Sequence, residues 1–205
     1  MTSGTTRQLR ISAGDLAALV AIARAGAAAQ SRPYVLAIDG RSGAGKSTLA
    51  NRLAAELGAC LVDGDSFFAG GVEVRRDSPE ARTRACIDWR RQRSVLEVLR
   101  LGGRAQYHAF DWEAFDGSLE ARPTMLDPAP FVILEGVYSA RAELSDLVDL
   151  RVVLTICDAT RDARLLAREG GIGPWERQWH EAETWYFESS SLLSEADVVV
   201  NGDET

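Results

Sequence analysis

The sequence predicts an α/β protein in which a mainly parallel sheet of five strands is covered by helices on both faces. Short, continuously apolar runs alternate with segments of helical periodicity, as expected for strands that are buried on both sides. The first complete unit consists of an apolar run, a glycine-rich loop and a helix. Five such runs, with helical segments between them, argue against an all-helical or all-strand protein.

The first predicted element is a helix from Ile11 to Ala29, with Ser12 as its N-cap and with leucine and alanine at helical spacing. The first strand, Tyr34–Ile38, follows. The length of 205 residues suits one domain. We therefore expect a single domain over residues 1–205, with residues 1–33 as a helical extension at its N-terminus.

The loop after this strand reads GRSGAGKS from Gly40 to Ser47 and matches G-x-x-x-x-G-K-[ST] without a mismatch. In such a loop the backbone N–H groups and the positive end of the next helix bind phosphate oxygens. Lys46, the single lysine of the chain, is expected to reach the β- and γ-phosphates, and the Ser47 hydroxyl to hold Mg²⁺. The predicted nucleotide-binding residues are Gly40, Ser42, Gly43, Ala44, Gly45, Lys46, Ser47 and Thr48.

Two carboxylates follow later strands. The helix Lys46–Leu57 leads to a short strand, Ala59–Val62, and then to the sequence DGDSFF, which contains Asp65. The apolar run Phe131–Leu134 is followed directly by Glu135. Ligands of open α/β sheets bind at the carboxyl ends of the strands, so both side chains are expected near the phosphate loop.

Three segments lie between the strands that precede Asp65 and Glu135, and their sequence patterns are less regular. Gly70 to Arg82 contains glycine, proline and alternating charges, which indicates a mobile loop, and a helix is expected from Arg84 to Arg100. Tyr107 to Asp116 concentrates aromatic residues without a clean period. This segment is predicted either to pack in the core or to form a substrate lid lined by stacking rings.

The C-terminal part contains a row of arginines. After the apolar strand Leu150–Ile156, a helix is predicted from Arg161 to Glu169, with Arg161, Arg164 and Arg168 on one face. Such a row usually carries solvated charge, but here it follows a strand in a phosphate-binding chain. That position favours arginines that clamp a phosphoryl group. A helix from Trp175 to Ser189 and a strand from Asp197 to Val200 complete the pattern.

Composition excludes several classes of function. A net charge of −7 and an isoelectric point near 5.0 give no support for nucleic-acid binding. The three cysteines lack disulfide or zinc spacing, and neither histidine has a ligand-spaced partner. No apolar stretch is long enough to span a membrane, and no signal peptide is apparent. We expect a cytoplasmic protein without a nucleic-acid or membrane partner.

The order of motifs resembles the uridine kinase-like branch of the P-loop kinases, which also includes pantothenate, phosphoribulose and nicotinamide riboside kinases. The resemblance covers about residues 35 to 202 and rests on IDGRSGAGKSTLA, DGDSFF, YHAFDW, FVILEGVY, DATRDARLLARE and ADVVVNG. It implies a three-layer α/β/α P-loop NTPase fold with five strands in the order 2-3-1-4-5.

The resemblance also implies a function. The chain would transfer the γ-phosphoryl group of ATP, with Mg²⁺, to a hydroxyl of a small molecule such as uridine or cytidine. Asp65 matches the carboxylate that accepts the hydroxyl proton, and Glu135 matches the acidic residue near the metal. Arg164 and Arg168 match the arginines that stabilise the transferred group, with Lys46.

The acceptor is the less determined part of the resemblance. Residues that match acceptor contacts are Asp65, Phe68, Tyr107, His108 and Asp111. Phe68 stands where related kinases commonly have an aromatic hydroxyl, so other acceptors stay open: nicotinamide riboside, pantothenate, a sugar or a nucleoside monophosphate.

A nucleotide-dependent switch or motor ATPase is the alternative class of function. A GTPase would need a second lysine for its guanine-reading N-K-x-D motif, and the chain has only Lys46. A transporter-type ATPase would show Asp-Glu where this chain has Glu135-Gly136.

Overall fold

A parallel sheet forms the centre of the fold. Within residues 8–203, which the computed structural model describes, six parallel strands form this sheet and two antiparallel strands form a separate hairpin. In chain order the strands are β1 (Leu9–Ser12), β2 (Tyr34–Gly40), β3 (Cys60–Asp63), β4 (Ala105–Tyr107), β5 (Thr124–Leu126), β6 (Phe131–Glu135), β7 (Leu150–Thr155) and β8 (Val198–Asn201). The sheet order is β1-β8-β7-β2-β6-β3, and β4 pairs with β5.

The helices form a layer on each face of the sheet. They are α1 (Leu16–Ala27), α2 (Lys46–Leu57), α3 (Pro79–Ala85), α4 (Trp89–Arg100), α5 (Asp158–Glu169), α6 (Pro174–Ser189) and α7 (Leu192–Glu195). Helices α1 and α2 pack on one face, and α4 and α6 contribute to the core on the other. Strands β2 and β6 are buried along their whole length, which explains their continuous apolar sequence. No helix in residues 8–203 combines the length and apolarity that crossing a membrane requires.

The predicted fold class is confirmed. Without β1 and the separate hairpin, the sheet strands in chain order are β2, β3, β6, β7 and β8. Numbered 1 to 5, they have the order 2-3-1-4-5 that the resemblance implies. The structure adds a sixth parallel strand at one edge.

The prediction of a helix from Ile11 with Ser12 as its N-cap was wrong. Residues Leu9–Ser12 form β1, which pairs in parallel with Val198–Asn201. Helix α1 begins at Leu16, and its N-cap is Asp15, whose carboxylate accepts the Ala18 N–H at 3.1 Å. This segment forms a strand because the edge of the apolar strand β8 would otherwise have unpaired backbone N–H and C=O groups, which β1 pairs with.

The predicted helix from Arg84 to Arg100 is in fact two helices. Helix α3 occupies the end of the segment Gly70 to Arg82, which was expected to be a loop, and α4 starts after a break. At the break Ile87 forms an antiparallel bridge with Phe68. The Asp88 side chain then caps α4. A tertiary contact therefore interrupts a helix that local propensity would continue.

A buried carboxylate, Asp39, connects the end of β2 to two other parts of the molecule. One of its oxygens accepts the N–H groups of Gly40 at 2.7 Å and Tyr138 at 3.1 Å. The other accepts the Ala140 N–H and the Tyr186 hydroxyl, both at 3.0 Å. Burial raises the pKa of Asp39 to about 6, although these hydrogen bonds act in the opposite direction. The carboxylate thus ties the start of the glycine-rich loop to the turn after β6 and to α6.

Replacing Asp39 with alanine removes the common acceptor of these buried donors. We expect the free energy of unfolding at neutral pH to fall by roughly 3 kcal/mol, measured by urea denaturation. The pKa of Asp39 in the folded protein is about 6, above the ordinary value of 3.8, so the folded state keeps the proton to higher pH. The stability that Asp39 contributes therefore declines as the pH rises from 3.8 to about 6. Over this interval the difference in free energy of unfolding between the unmodified protein and Asp39→Ala should narrow.

Asp146 provides the control for this pH dependence. It is exposed, and its hydrogen bonds with Arg93 lower its pKa to about 2. The stability difference between the unmodified protein and Asp146→Ala should therefore not narrow over the same interval. If the stability difference narrowed equally for Asp39→Ala and Asp146→Ala, the raised pKa of Asp39 would be contradicted.

Candidate functional site

The glycine-rich loop turns sharply between β2 and α2. Gly43 and Gly45 have φ angles of 82° and 101°, in the left-handed region that glycine adopts without strain. Lys46 starts α2, and its Nζ donates to the Arg41 carbonyl at 3.3 Å. The predicted phosphate-binding residues from Gly40 to Thr48 thus form one continuous loop and the first turn of a helix, which is an anion-binding geometry.

Two carboxylates reach the same end of the sheet through a close backbone contact. Asp63 and Glu135 end the adjacent strands β3 and β6 and are paired in register. A Cβ atom on Gly64 would lie 2.6 Å from the Glu135 carbonyl oxygen, so only glycine fits there. Gly136 has a φ angle of 140°, and a Cβ atom on it would lie 3.2 Å from the Cα atom of Gly64. This contact brings Asp65, on the turn after β3, beside Glu135.

These carboxylates share one nearby ammonium group. Burial raises the pKa of Glu135 to about 7, and repulsion from Asp65 and Asp63 adds to this, while Lys46 acts in the opposite direction. Desolvation likewise raises the pKa of Asp65, with Lys46 again the largest opposing influence. The site therefore has an excess of negative charge, which a bound cation would offset.

The residues present fit a magnesium ion. The Ser47 side chain and the Lys46 ammonium group both act to lower the pKa of Glu135, so both groups lie near its carboxylate. Within residues 8–203 no group of three or more histidine, cysteine or acidic side chains could hold a metal alone. Mg²⁺ commonly binds through one or two protein oxygens and completes its coordination with phosphate and water. Ser47 and Glu135 suit such a site.

The three arginines of α5 lie on different sides of the loop. Arg161 is buried, and its Nε donates to the Ser42 carbonyl at 3.1 Å. Arg164 donates to the Ala44 carbonyl at 3.3 Å. Arg168 is exposed and is paired with the neighbouring Glu169 at 2.7 Å. The predicted helix and its arginine row exist, but the first guanidinium supports the loop from inside, and the other two face separate cavities.

These two cavities flank the loop and differ in charge. A cavity of about 390 Å³, which we call the acidic cleft, contains the carboxylates of Asp63, Asp65, Glu169 and Glu176 against the single guanidinium of Arg168. A cavity of about 370 Å³, which we call the basic pocket, lies beside Ala44, Gly45 and Thr48 and carries Arg52 and Arg164 as its charged groups. Electrostatics therefore favours a polyanion in the basic pocket and an uncharged or cationic molecule in the acidic cleft.

Aromatic rings form one wall of the acidic cleft. Trp175 and Trp179, one turn apart on α6, are stacked with ring centroids 6.2 Å apart. Trp112 also lines the cleft and contacts Phe68, whose buried ring lies 5.0 Å away. Trp112 belongs to the aromatic segment and Phe68 to DGDSFF, so the segment contributes both to the core and to the cleft. Its closure as a lid stays a prediction.

The other predicted acceptor residues make contacts within the fold and do not line the cleft. Tyr107 is buried against Phe67, with ring centroids 4.5 Å apart. The His108 ring nitrogen Nδ1 is 2.8 Å from the Glu120 carbonyl. The Asp111 carboxylate accepts the Ala114 N–H at 2.8 Å and so stabilises a turn. Of the predicted acceptor set, the structure brings Asp65 into the cleft and Phe68 beneath it.

Glu183, a fully buried carboxylate on α6, was not among the predicted site residues. Its oxygens accept the Ser42 N–H at 3.2 and 3.3 Å, and they also accept the Ser42 hydroxyl. The Trp179 indole N–H donates to the same carboxylate at 2.5 Å, and the Arg161 guanidinium is 3.6 Å away. Glu183 therefore fastens the wall of the acidic cleft to the phosphate loop. A single glutamate on a helix is usually exposed, so no sequence pattern indicated that Glu183 is buried.

Replacing Glu183 with alanine should loosen this connection. The variant removes the buried carboxylate that faces the Arg161 guanidinium and leaves the exposed Asp162 as its remaining ion-pair partner. We expect the free energy of unfolding to fall by about 3 kcal/mol. Because the Ser42 N–H loses its acceptor, hydrogen exchange at Ser42 should accelerate more than at other loop amides.

Glu188→Ala is the matched control, since Glu188 is exposed on the same helix. It should leave both stability and exchange at Ser42 nearly unchanged. Equal exchange at Ser42 in the Glu183 variant and the control would contradict the connection.

Comparison with known proteins supports the fold. No protein-family model and no curated protein sequence matches the chain. Solved structures do match, including a protein described as a possible uridine kinase from Bacillus stearothermophilus, with 22% identity, a TM-score of 0.68 and coverage of 90% of this chain and 96% of that chain.

Two further structures have the same architecture. A candidate fructose transport system kinase from Silicibacter sp. TM1040 has 24% identity and a TM-score of 0.61 over 90% of this chain and 98% of that chain. D-glycerate 3-kinase from Cryptococcus neoformans has 13% identity and a TM-score of 0.57 over 94% and 95%. With its phosphate loop and parallel sheet, the chain therefore has the fold of the P-loop kinases.

Proposed function

We propose that the protein is an ATP-dependent kinase that transfers the γ-phosphoryl group to a hydroxyl of an uncharged small molecule, with a nucleoside such as uridine or cytidine as the first candidate. One observation carries the proposal: the phosphate loop separates a basic pocket from an acidic cleft that contains Asp65. A nucleotide bound in the pocket and an acceptor bound in the cleft would meet at Lys46. Such an arrangement suits transfer between two bound molecules.

Asp65 is the proposed acceptor of the hydroxyl proton. It lines the cleft, and its raised pKa makes it a stronger base than an ordinary aspartate. Lys46, Arg164 and Arg168 would offset the negative charge that develops on the transferred group. Bound Mg²⁺, held by Ser47 and Glu135, would neutralise phosphate charge.

The charge of the cleft ranks the remaining acceptors. Carboxylates outnumber guanidinium groups there, so pantothenate and nucleoside monophosphates would meet net repulsion, whereas nucleosides, nicotinamide riboside and sugars would not. The stacked Trp175 and Trp179 favour an acceptor with a flat ring over an open-chain one. Among the proteins of similar fold, the one described as a possible uridine kinase is named for an acceptor of this kind.

Replacement of Asp65 with asparagine tests the proton acceptor. We expect turnover with uridine to fall by about 10²- to 10⁴-fold, because the amide cannot accept the proton. Nucleotide affinity should stay within roughly twofold, since the substituted side chain lies in the other cavity. Turnover is measured as uridine-dependent ADP release, and affinity by calorimetry with ADP.

Glu176→Gln is the matched control because it removes a carboxylate from the same cleft. It should retain most of the turnover, and Lys46→Ala should abolish it while remaining folded. Unchanged turnover of Asp65→Asn, or an equal loss in Glu176→Gln, would reject the role of Asp65.

A panel of acceptors tests the charge argument. We expect kcat/KM for uridine, cytidine or nicotinamide riboside to exceed that for uridine monophosphate, pantothenate and D-glycerate by tenfold or more, roughly the effect of 1.4 kcal/mol. Glu176→Arg should reduce this preference. A higher kcat/KM for the anionic compounds would overturn the argument, and ADP release that is independent of any acceptor would favour a nucleotide-dependent ATPase.

A further inference from the structure

We propose that the N-terminal segment Leu9–Asp15 forms one wall of the nucleotide site, and that its turn at Ala13 and Gly14 contacts the base and ribose of bound ATP. The inference rests on the proposed function, because it takes the ligand of the phosphate loop to be a nucleoside triphosphate. It adds a role for a segment that lies outside the motifs of the resemblance.

The sheet brings this turn to the phosphate loop. Strands β1, β8, β7 and β2 are parallel neighbours, so their carboxyl ends lie at one edge of the sheet. The Ala13 N–H donates to the Asn201 carbonyl at 2.9 Å, directly after β1. Gly202 comes next, and a Cβ atom placed on it would lie 3.3 Å from the Ala44 carbonyl of the loop. A continuous backbone contact therefore connects the turn to the phosphate loop.

The basic pocket lies at this junction. Ala13 and Gly14 line it together with Thr48 and Arg52 of α2, Arg164 of α5 and Gly202. Its volume of about 370 Å³ lies in the range of small-molecule sites. A nucleoside has space here beside the phosphates, whereas the opposite side of the loop is the acidic cleft.

The chemistry of the lining suits a base and a ribose. Ala13, Gly14 and Gly202 have little or no side chain, so a flat ring can approach the backbone closely. Two guanidinium groups, from Arg52 and Arg164, can stack on an aromatic base or contact phosphate oxygens. In the described lining the only charged groups are these two, which matches the charge of ATP.

The test compares two ligands that share phosphates and differ in the nucleoside. Gly14→Trp places an indole at an exposed position of the pocket wall, and Ala25→Trp places one on the exposed surface of α1. Affinities for ADP and for inorganic tripolyphosphate are measured by calorimetry. We expect Gly14→Trp to weaken ADP binding by roughly tenfold or more and to leave tripolyphosphate within about twofold, with Ala25→Trp unchanged for both.

Three outcomes would count against the inference. Unchanged ADP affinity in Gly14→Trp would overturn it, and so would an equal loss for ADP and tripolyphosphate, which would indicate a distorted loop. If the unmodified protein bound neither ligand, the proposed function itself would fail, and this inference with it. If the unmodified protein binds both ligands, a negative result with Gly14→Trp counts against the pocket wall alone and not against the proposed function.

A second measurement uses the unmodified protein and does not depend on the folding of a variant. Irradiation with 8-azido-ATP, followed by trypsin digestion, should label the peptide from Ile11 to Arg24, and excess ATP should prevent this labelling. Protected labelling confined to other peptides would overturn the inference.

Discussion

The buried carboxylate of Asp39 is the interaction on which the arrangement of the site depends. It stands where β2 passes into the phosphate loop, and its four hydrogen bonds reach the turn after β6 and helix α6. These are the parts that carry Glu135 and the aromatic wall of the acidic cleft. Buried donors without an acceptor are costly, so the carboxylate holds the three parts in one register. Glu183 adds a second connection, from α6 to Ser42.

The acidic side chains are arranged around one lysine. Gly64 lets the ends of β3 and β6 approach closely, because a Cβ atom there would lie 2.6 Å from the Glu135 carbonyl oxygen. Burial raises the pKa of both Asp65 and Glu135, repulsion between neighbouring carboxylates adds to this, and Lys46 offsets only part of the increase. Repulsion between these carboxylates favours the binding of a cation, together with the phosphates that accompany it.

Much of this could be predicted because it is encoded locally. The loop from Gly40 to Ser47, Asp65 and Glu135 each follow an apolar strand, and strands buried on both faces have an unmistakable pattern. Strand β1 has only four residues, and its partner lies at the far end of the chain, so its pairing leaves no local trace. The break at Ile87 and the burial of Glu183 likewise depend on tertiary contacts that no window of sequence contains.

The division of the arginines on α5 has a consequence for the spacing of the whole site. Arg164 and Arg168 face different cavities while being separated by one helical turn, and Arg161 anchors the helix to the loop from within. Helix α5 thus acts as a rigid spacer between two compartments, the basic pocket and the acidic cleft. Insertion of a single residue between Arg164 and Arg168 would rotate the second guanidinium by about 100° and remove it from its compartment. The length of this helix is therefore as constrained as the identity of its arginines.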